Sequence, residues 1–226
     1  MAELDPAAFL IPEAERRRRR DAAVAAIPAG YRPWLHLGAT TAIGLGIAAL
    51  CLAGCGEARA LDWLVVPAQW TIANAAEWRF HRDLLHRRVA PFELLYDMHT
   101  ATHHMIYVDG AMAIASWREV RLVLLPWWAI LAIAAIVAPF AAAVGAAFGR
   151  PAGLLFAAAS MIYVVAYEWM HTSFHLPEGH PVARWGLIRW LAQHHSIHHD
   201  PRRMRTCNFN VVVPLWDRIR GTSAGR

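Results

Sequence analysis

Ten of the thirteen histidines in this 226-residue chain fall in four short boxes. The first pairs His81 with His86, and the second holds His99, His103 and His104. The third pairs His171 with His175, and the fourth holds His195, His198 and His199. Imidazole is a ligand for iron, zinc, copper and nickel. Ten imidazoles exceed the roughly four to six ligands that one ion takes, so two nearby metal ions are the economical reading.

Residues three and four apart share a helix face, so His99/His103, His171/His175 and His195/His198/His199 are expected to converge. His81 and His86 are five apart, about 140° around an ideal α-helix. That pair needs a helix end between its members, or two different metals to serve. A single histidine pair at helical spacing arises by chance; four boxes, each at the end of an apolar element, do not. His36 and His180 stand alone and read as hydrogen-bonded structural residues. His194 lies outside the three-histidine pattern beside it and is expected to face away.

Neutral imidazoles leave the metal charge uncancelled, so carboxylates are expected to orient the rings through the second ring nitrogen. Glu77, Asp83, Asp97, Asp109, Glu168 and Asp200 are the candidates. Glu168, three residues before His171 on the same face, stands out. For most of the others a salt bridge to a neighbouring arginine is the plainer reading. No group beyond the metal ligands is expected to act as a separate catalytic residue.

The elements that position these boxes are apolar. The chain is 57% hydrophobic and only 17% charged, with a mean hydropathy of +0.28. This excludes a disordered or fibrous chain and is too apolar for an ordinary soluble domain. A span needs about 20 apolar residues, and the runs without charge, 34–56, 63–76, 122–149 and 151–167, point to spans near 34–56, 63–78, 119–140 and 151–174. We read these as two helical hairpins, with the turn of the second at Pro139 or Gly145. Residues 34–226 form a single domain on this reading, preceded by a basic segment, 1–33. Gln69 and Asn74 should face the bundle interior, where polar groups find partners.

Every one of the 22 basic residues is arginine. Twenty lie before the first span, between spans two and three, or after span four; only Arg59 and Arg150 lie in the hairpin turns. The positive-inside rule then places both termini, the middle loop and all four boxes on the cytoplasmic side. The net charge of +5 and the basic pI near 9.6 are thus a topology signal, with no nucleic-acid partner implied. Trp34, Trp63, Trp78, Trp117, Trp127 and Trp128 lie near span ends, where indole rings favour the interface. The first thirty residues are not a secretory signal. Their arginine run suits anionic headgroups or solvent and is expected to do no chemistry.

Cys51, Cys55 and Cys207 make neither a disulfide framework nor a CxxC site, which fits a reducing compartment. Cys51 and Cys55 are better explained by helix contacts than by metal. Trp78, Phe80, Trp169 and Phe174 flank the boxes, where packing or interface anchoring accounts for each. No HExxH, GxSxG, P-loop or GxGxxG occurs, against metalloprotease, serine hydrolase, P-loop NTPase and dinucleotide-binding readings.

Taken together, the order of the boxes resembles the fatty acid hydroxylase/sterol desaturase superfamily of integral-membrane di-iron oxygenases. The resemblance runs from Glu77 to Thr222 and includes a closing segment, Asn208 and Asn210 through Pro214 and Asp217 to Gly221 and Thr222. Its second box has three intervening residues where many members have two. The resemblance implies an all-α fold: four transmembrane helices in two hairpins, with a cytosolic helical cap holding a histidine-rich dimetal site. It implies two iron ions (zinc also fits), O2 as co-substrate, and attack on an unactivated C–H bond of a lipid such as a fatty acyl chain or sterol. The ligands it implies are His81, His86, His99, His103, His104, His171, His175, His195, His198 and His199. With no haem or iron–sulfur motif in the chain, electrons are expected from a separate ferredoxin, or a cytochrome with its reductase. The rival reading is a polytopic metal-binding or transport protein, whose histidines should sit at mid-membrane.

Overall fold

The computed structural model describes residues 9–225. Residues 1–8 of the basic segment, and Arg226 of the topology count, lie outside the described residues. Among those described there is no strand, only an isolated bridge between Val108 and Ala111. The helices are α1 (Glu13–Ala25), α2 (Pro33–Gly54), α3 (Val65–Phe80), α4 (Glu93–Met98), α5 (His104–Ile106), α6 (Ala129–Phe148), α7 (Arg150–Phe174), α8 (Gly186–His198) and α9 (Leu215–Arg220). The chain divides into two compact units.

One unit comprises Trp34–Ala75 and Leu124–Trp169. Its core is small and aliphatic: Ala48 of α2, Ile130 of α6, and Ala158 and Met161 of α7, with Ile47, Val137 and Val164 against them. Gln69 and Asn74 are buried, as expected. Gln69 donates to the Ser160 hydroxyl at 2.6 Å, and Asn74 donates to the Tyr163 hydroxyl at 3.0 Å. His36 bonds the Leu125 carbonyl at 2.9 Å, a structural role. The thiol of Cys55 donates to the Cys51 carbonyl at 3.3 Å.

Three helices, α2, α6 and α7, are long and apolar enough to cross a membrane. α3 has 16 residues, short of the about 20 a span needs. The third expected span is displaced. α6 starts at Ala129 rather than near 119, because Pro126 interrupts the run and Trp117–Leu122 form a 3-10 helix. Nor does the chain turn at Pro139 or Gly145, which both lie inside α6. It turns at Gly149, whose φ of 103° only glycine adopts readily.

The other unit comprises the residues up to Pro33, Ala76–Val123 and Met170–Arg226. It holds all ten box histidines, every one buried. Phe9 packs with Met105 and Met204, so the N-terminal segment is part of this unit's core. Trp78 departs from the interface position expected of it. It is buried, donates to the Thr222 hydroxyl at 2.9 Å and meets Phe209 edge-on.

Candidate metal centre

The boxes do not converge as an α-helix would make them. Two stretches, His81–Leu85 and His99–His103, are π-helical. A π-turn bonds i to i+5, so residues five apart come onto one face. His81 and His86 therefore join the same group, with His86 at the residue where the helix ends, as one of the two expected routes allows. His99 likewise pairs with His104, not with His103 as α-helical spacing predicts. In α7 and α8 the residues four apart come together, His171 with His175 and His195 with His199, but the expected convergence of His198 with them fails. His198 faces the other way.

The result is two groups of five. His81, His86, His99, His104 and His198 form the first; His103, His171, His175, His195 and His199 form the second. Within each group, one ring nitrogen per residue lies within 4.8 Å of all the others. His104 of the first group stacks on His199 of the second, with ring centroids 4.0 Å apart. The two groups therefore touch.

The second ring nitrogens are held mainly by the backbone. Nδ1 donates to the carbonyl of Phe209 from His81 (2.5 Å), of Cys207 from His198 (2.9 Å) and of Leu122 from His103 (3.0 Å). It donates to Met112 from His175 (2.8 Å) and to Tyr107 from His199 (2.6 Å). His86 uses Thr100 instead. The Thr100 hydroxyl gives its one hydrogen to the Leu85 carbonyl at 2.6 Å and so accepts from His86 Nδ1 at 2.9 Å. Each of these bonds leaves Nε2 as a bare lone pair.

That tautomer turns lone pairs toward one another, an arrangement suited to a cation between them. His86 Nε2 and His198 Nε2 lie 3.0 Å apart, each with its proton committed on the far side of its ring. Two lone pairs face each other with no hydrogen between them. Nε2 of His103 and of His175 are buried without any hydrogen-bond partner. Protonating the rings would not resolve this, because burial holds them neutral. His81 and His175 are pushed down to about 4, and His86, His99, His103, His104, His195, His198 and His199 well below the ordinary value. Neutral imidazole is the form that binds metal. Two ligands at about 2.1 Å and a right angle from one ion would stand about 3.0 Å apart. The ring nitrogens of His81/His99, His86/His198, His99/His104 and His195/His199 stand at 2.9, 3.0, 3.0 and 3.0 Å. The donor set of each group therefore suits a metal ion.

The candidate carboxylates have the following partners. Asp83 pairs with Arg79 and Arg82, and Asp97 with Arg88. Asp200 accepts from the Arg202 N–H, and Asp109 from Ser196. Glu168 accepts from the Leu125 N–H at 3.4 Å. Glu77 accepts from the N–H of Val211 and from Asn210. The carboxylate that sequence reasoning passed over is Asp217, fully buried in the closing segment. It accepts from the N–H of Phe209 (3.0 Å) and Asn210 (2.8 Å), the Thr222 hydroxyl (2.7 Å) and His194 Nε2 (3.3 Å). Burial alone would raise its pKa, but these donors, His194 first, hold it below the usual carboxylate range. Asp217 thereby sets the strand of chain whose carbonyls at Cys207 and Phe209 receive His198 and His81. His194 faces away from the metal groups, as expected, and its partner gives it a purpose. His180 accepts from the Val182 N–H at 3.2 Å.

Among the aromatic residues, Phe174 is buried against His195 with centroids 5.5 Å apart, while Phe80 and Trp169 are exposed. Phe209, missed in the sequence, is fully buried beside His81, His86 and His198.

The sequence model of the fatty acid hydroxylase family matches residues 66–222. Among solved structures, one described as full-length Scs7p with only the hydroxylase domain visible matches with a TM-score of 0.56 at 19% identity. The match covers 85% of this chain and 67% of that one. At that identity it speaks for the fold. No curated protein matches the sequence.

Proposed function

The chain belongs to the fatty acid hydroxylase family, and from that premise we propose that it is a membrane di-iron oxygenase that hydroxylates an unactivated C–H bond of a lipid. The observation that carries this reading is the pair of five-histidine groups in contact through His104 and His199. In the proposal the first group holds one iron ion and the second the other. Bound iron would supply reductive activation of O2, with one oxygen atom entering the C–H bond and the other leaving as water on two electrons and two protons from an external donor.

The chain's own contribution is to hold imidazole in one tautomer and to exclude water. Backbone carbonyls and Thr100 take the Nδ1 protons, so every such ring offers only Nε2 to the centre. Burial of all ten rings keeps solvent out. Where an acyl chain or sterol takes its place, Phe209 and Phe174 are apolar rings that lie beside the imidazoles.

The proposal keeps the topology read from the arginines: two hairpins, α3 as the short fourth span, and boxes and termini on the cytoplasmic side. A ferredoxin, or a cytochrome with its reductase, would then meet an arginine-rich face. The proposed lipid reaches the site from the bilayer, since the first and third boxes follow apolar runs in the sequence.

The test is mass spectrometry of lipids from cells with and without the gene, grown with iron. A lipid class heavier by one oxygen atom is the expected result. A product lighter by two hydrogens would replace hydroxylation by desaturation. No change in any lipid class would overturn the oxygenase reading.

A further inference from the structure

The basic N-terminal segment has one arginine that behaves unlike the rest. In α1, Arg17 pairs with Glu13, and Arg18 and Arg19 pair with Glu15, all on the exposed surface. Arg20 turns inward. Its Nε and Nη2 reach one oxygen of Glu119 at 2.9 and 2.5 Å, and Nη2 also donates to the Ala113 carbonyl at 2.8 Å. Glu119 is buried in the 3-10 helix Trp117–Leu122. The same carboxylate accepts from the Tyr107 hydroxyl at 3.0 Å and from the Ala115 N–H at 3.2 Å. One ion pair thus ties together residues 107, 113, 115 and 119.

This stretch is also the scaffold of the second histidine group. Tyr107 supplies the carbonyl for His199, Met112 the carbonyl for His175, and Leu122 the carbonyl for His103. The Ile114 N–H donates to the His175 carbonyl at 2.9 Å, so Arg20 grips Ala113 between two residues that hold His175. No carbonyl of this stretch serves the first group, whose acceptors are Phe209, Cys207 and Thr100.

We propose that Arg20 is a positioning residue for the second metal: through Glu119 it staples residues 107–122 and so holds His103, His175 and His199 in their ligating tautomer and orientation. The inference rests on the metal-centre reading above. Arg20 lies outside residues 66–222, the part of the chain that matches the family. The family match therefore does not itself account for this contact. Removing Arg20 leaves a buried carboxylate unpaired, which costs more than an exposed ion pair is worth. Lysine keeps the charge but loses the fork that reaches both Glu119 and Ala113.

The experiment uses the full chain purified in detergent, as wild type, Arg20→Ala, Arg20→Lys and Arg17→Ala. Each is loaded anaerobically with Fe(II), and bound metal per chain is measured after desalting. The expected result is about two ions for wild type and Arg17→Ala, about one for Arg20→Ala, and an intermediate value for Arg20→Lys. A second measurement is independent of loading. Amide hydrogen exchange of metal-free Arg20→Ala should rise across 107–122 and stay unchanged at 207–217. Arg20→Ala that retains two ions, or loses both equally, overturns the inference, as does unchanged exchange across 107–122. Wild type that binds no metal overturns the metal-centre reading instead, and the exchange experiment still decides whether Arg20 holds the stretch.

Discussion

His99 and His104 bring their Nε2 atoms to 3.0 Å across a π-helical turn, while His103, one residue earlier, faces the other group. Adjacent histidines therefore serve different proposed metals. The separation is set by one extra residue in a helical turn, a distortion that recurs at functional sites.

Thr100 sits inside that turn and fixes the tautomer of His86. Thr100→Val keeps the shape but removes the acceptor for His86 Nδ1. Metal affinity of the first group should fall about 10- to 100-fold, as for other lost partners of ligating histidines. Thr100→Ser should retain it. Metal titration of the purified variants checks both.

Asp217 gathers four donors in a fully buried position. Asp217→Ala leaves two backbone N–H groups, a hydroxyl and His194 without their acceptor, and should lower stability by about 3 kcal/mol or more. The loss should appear as a lower melting temperature in detergent. Bound metal should fall first in the first group, because His81 and His198 rely on the segment Asp217 holds.

Gly153 of α7 lies where α6 and α7 cross. A Cβ there would meet the Ala141 carbonyl oxygen at 2.5 Å and Gly145 Cα at 2.8 Å, both backbone atoms. Gly153→Ala should therefore cost about 1–3 kcal/mol as overpacking. Gly46→Ala, with nothing within 4 Å, should cost nothing measurable. Thermal unfolding of both variants separates the cases.

Acid should unfold the metal-free protein early. His81 and His175 titrate near 4 in the fold and near 6.5 when exposed, because burial disfavours their charged form. Between those values the unfolded chain binds more protons, so stability is fully present above about 6.5 and is lost as pH falls toward 4. Each such histidine adds a slope of about 1.4 kcal/mol per pH unit within that window. Asp217, held low, adds a loss of the same sign at lower pH. The melting temperature of metal-free protein should fall steadily from pH 7 to pH 5. A flat profile would contradict the burial of these rings.

Much of this was legible beforehand. Residue type and local spacing carry apolarity and the family's box order, so the helical class and the ten histidines that gather in the two groups could be named from the chain alone. The apolar runs gave α2 and α7 nearly to the residue. They misplaced α6, because hydropathy does not register that Pro126 ends one run while Pro139 is tolerated inside the next. Pairing of Gln69 and Asn74 followed from the cost of an unsatisfied polar group in an apolar bundle.

Which histidines share a group was beyond the sequence, because it depends on whether a turn closes at i+4 or i+5. The orienting groups were hidden for a different reason. A carbonyl is carried by every residue alike, so nothing in residue identity marks Phe209, Cys207, Met112, Leu122 or Tyr107 as acceptors. Asp217 and Glu119 looked like any other acids until folding buried them among donors from distant stretches. Side-chain chemistry and short-range periodicity thus determined which residues are offered as ligands; long-range packing of backbone against imidazole decided how the ten rings divide.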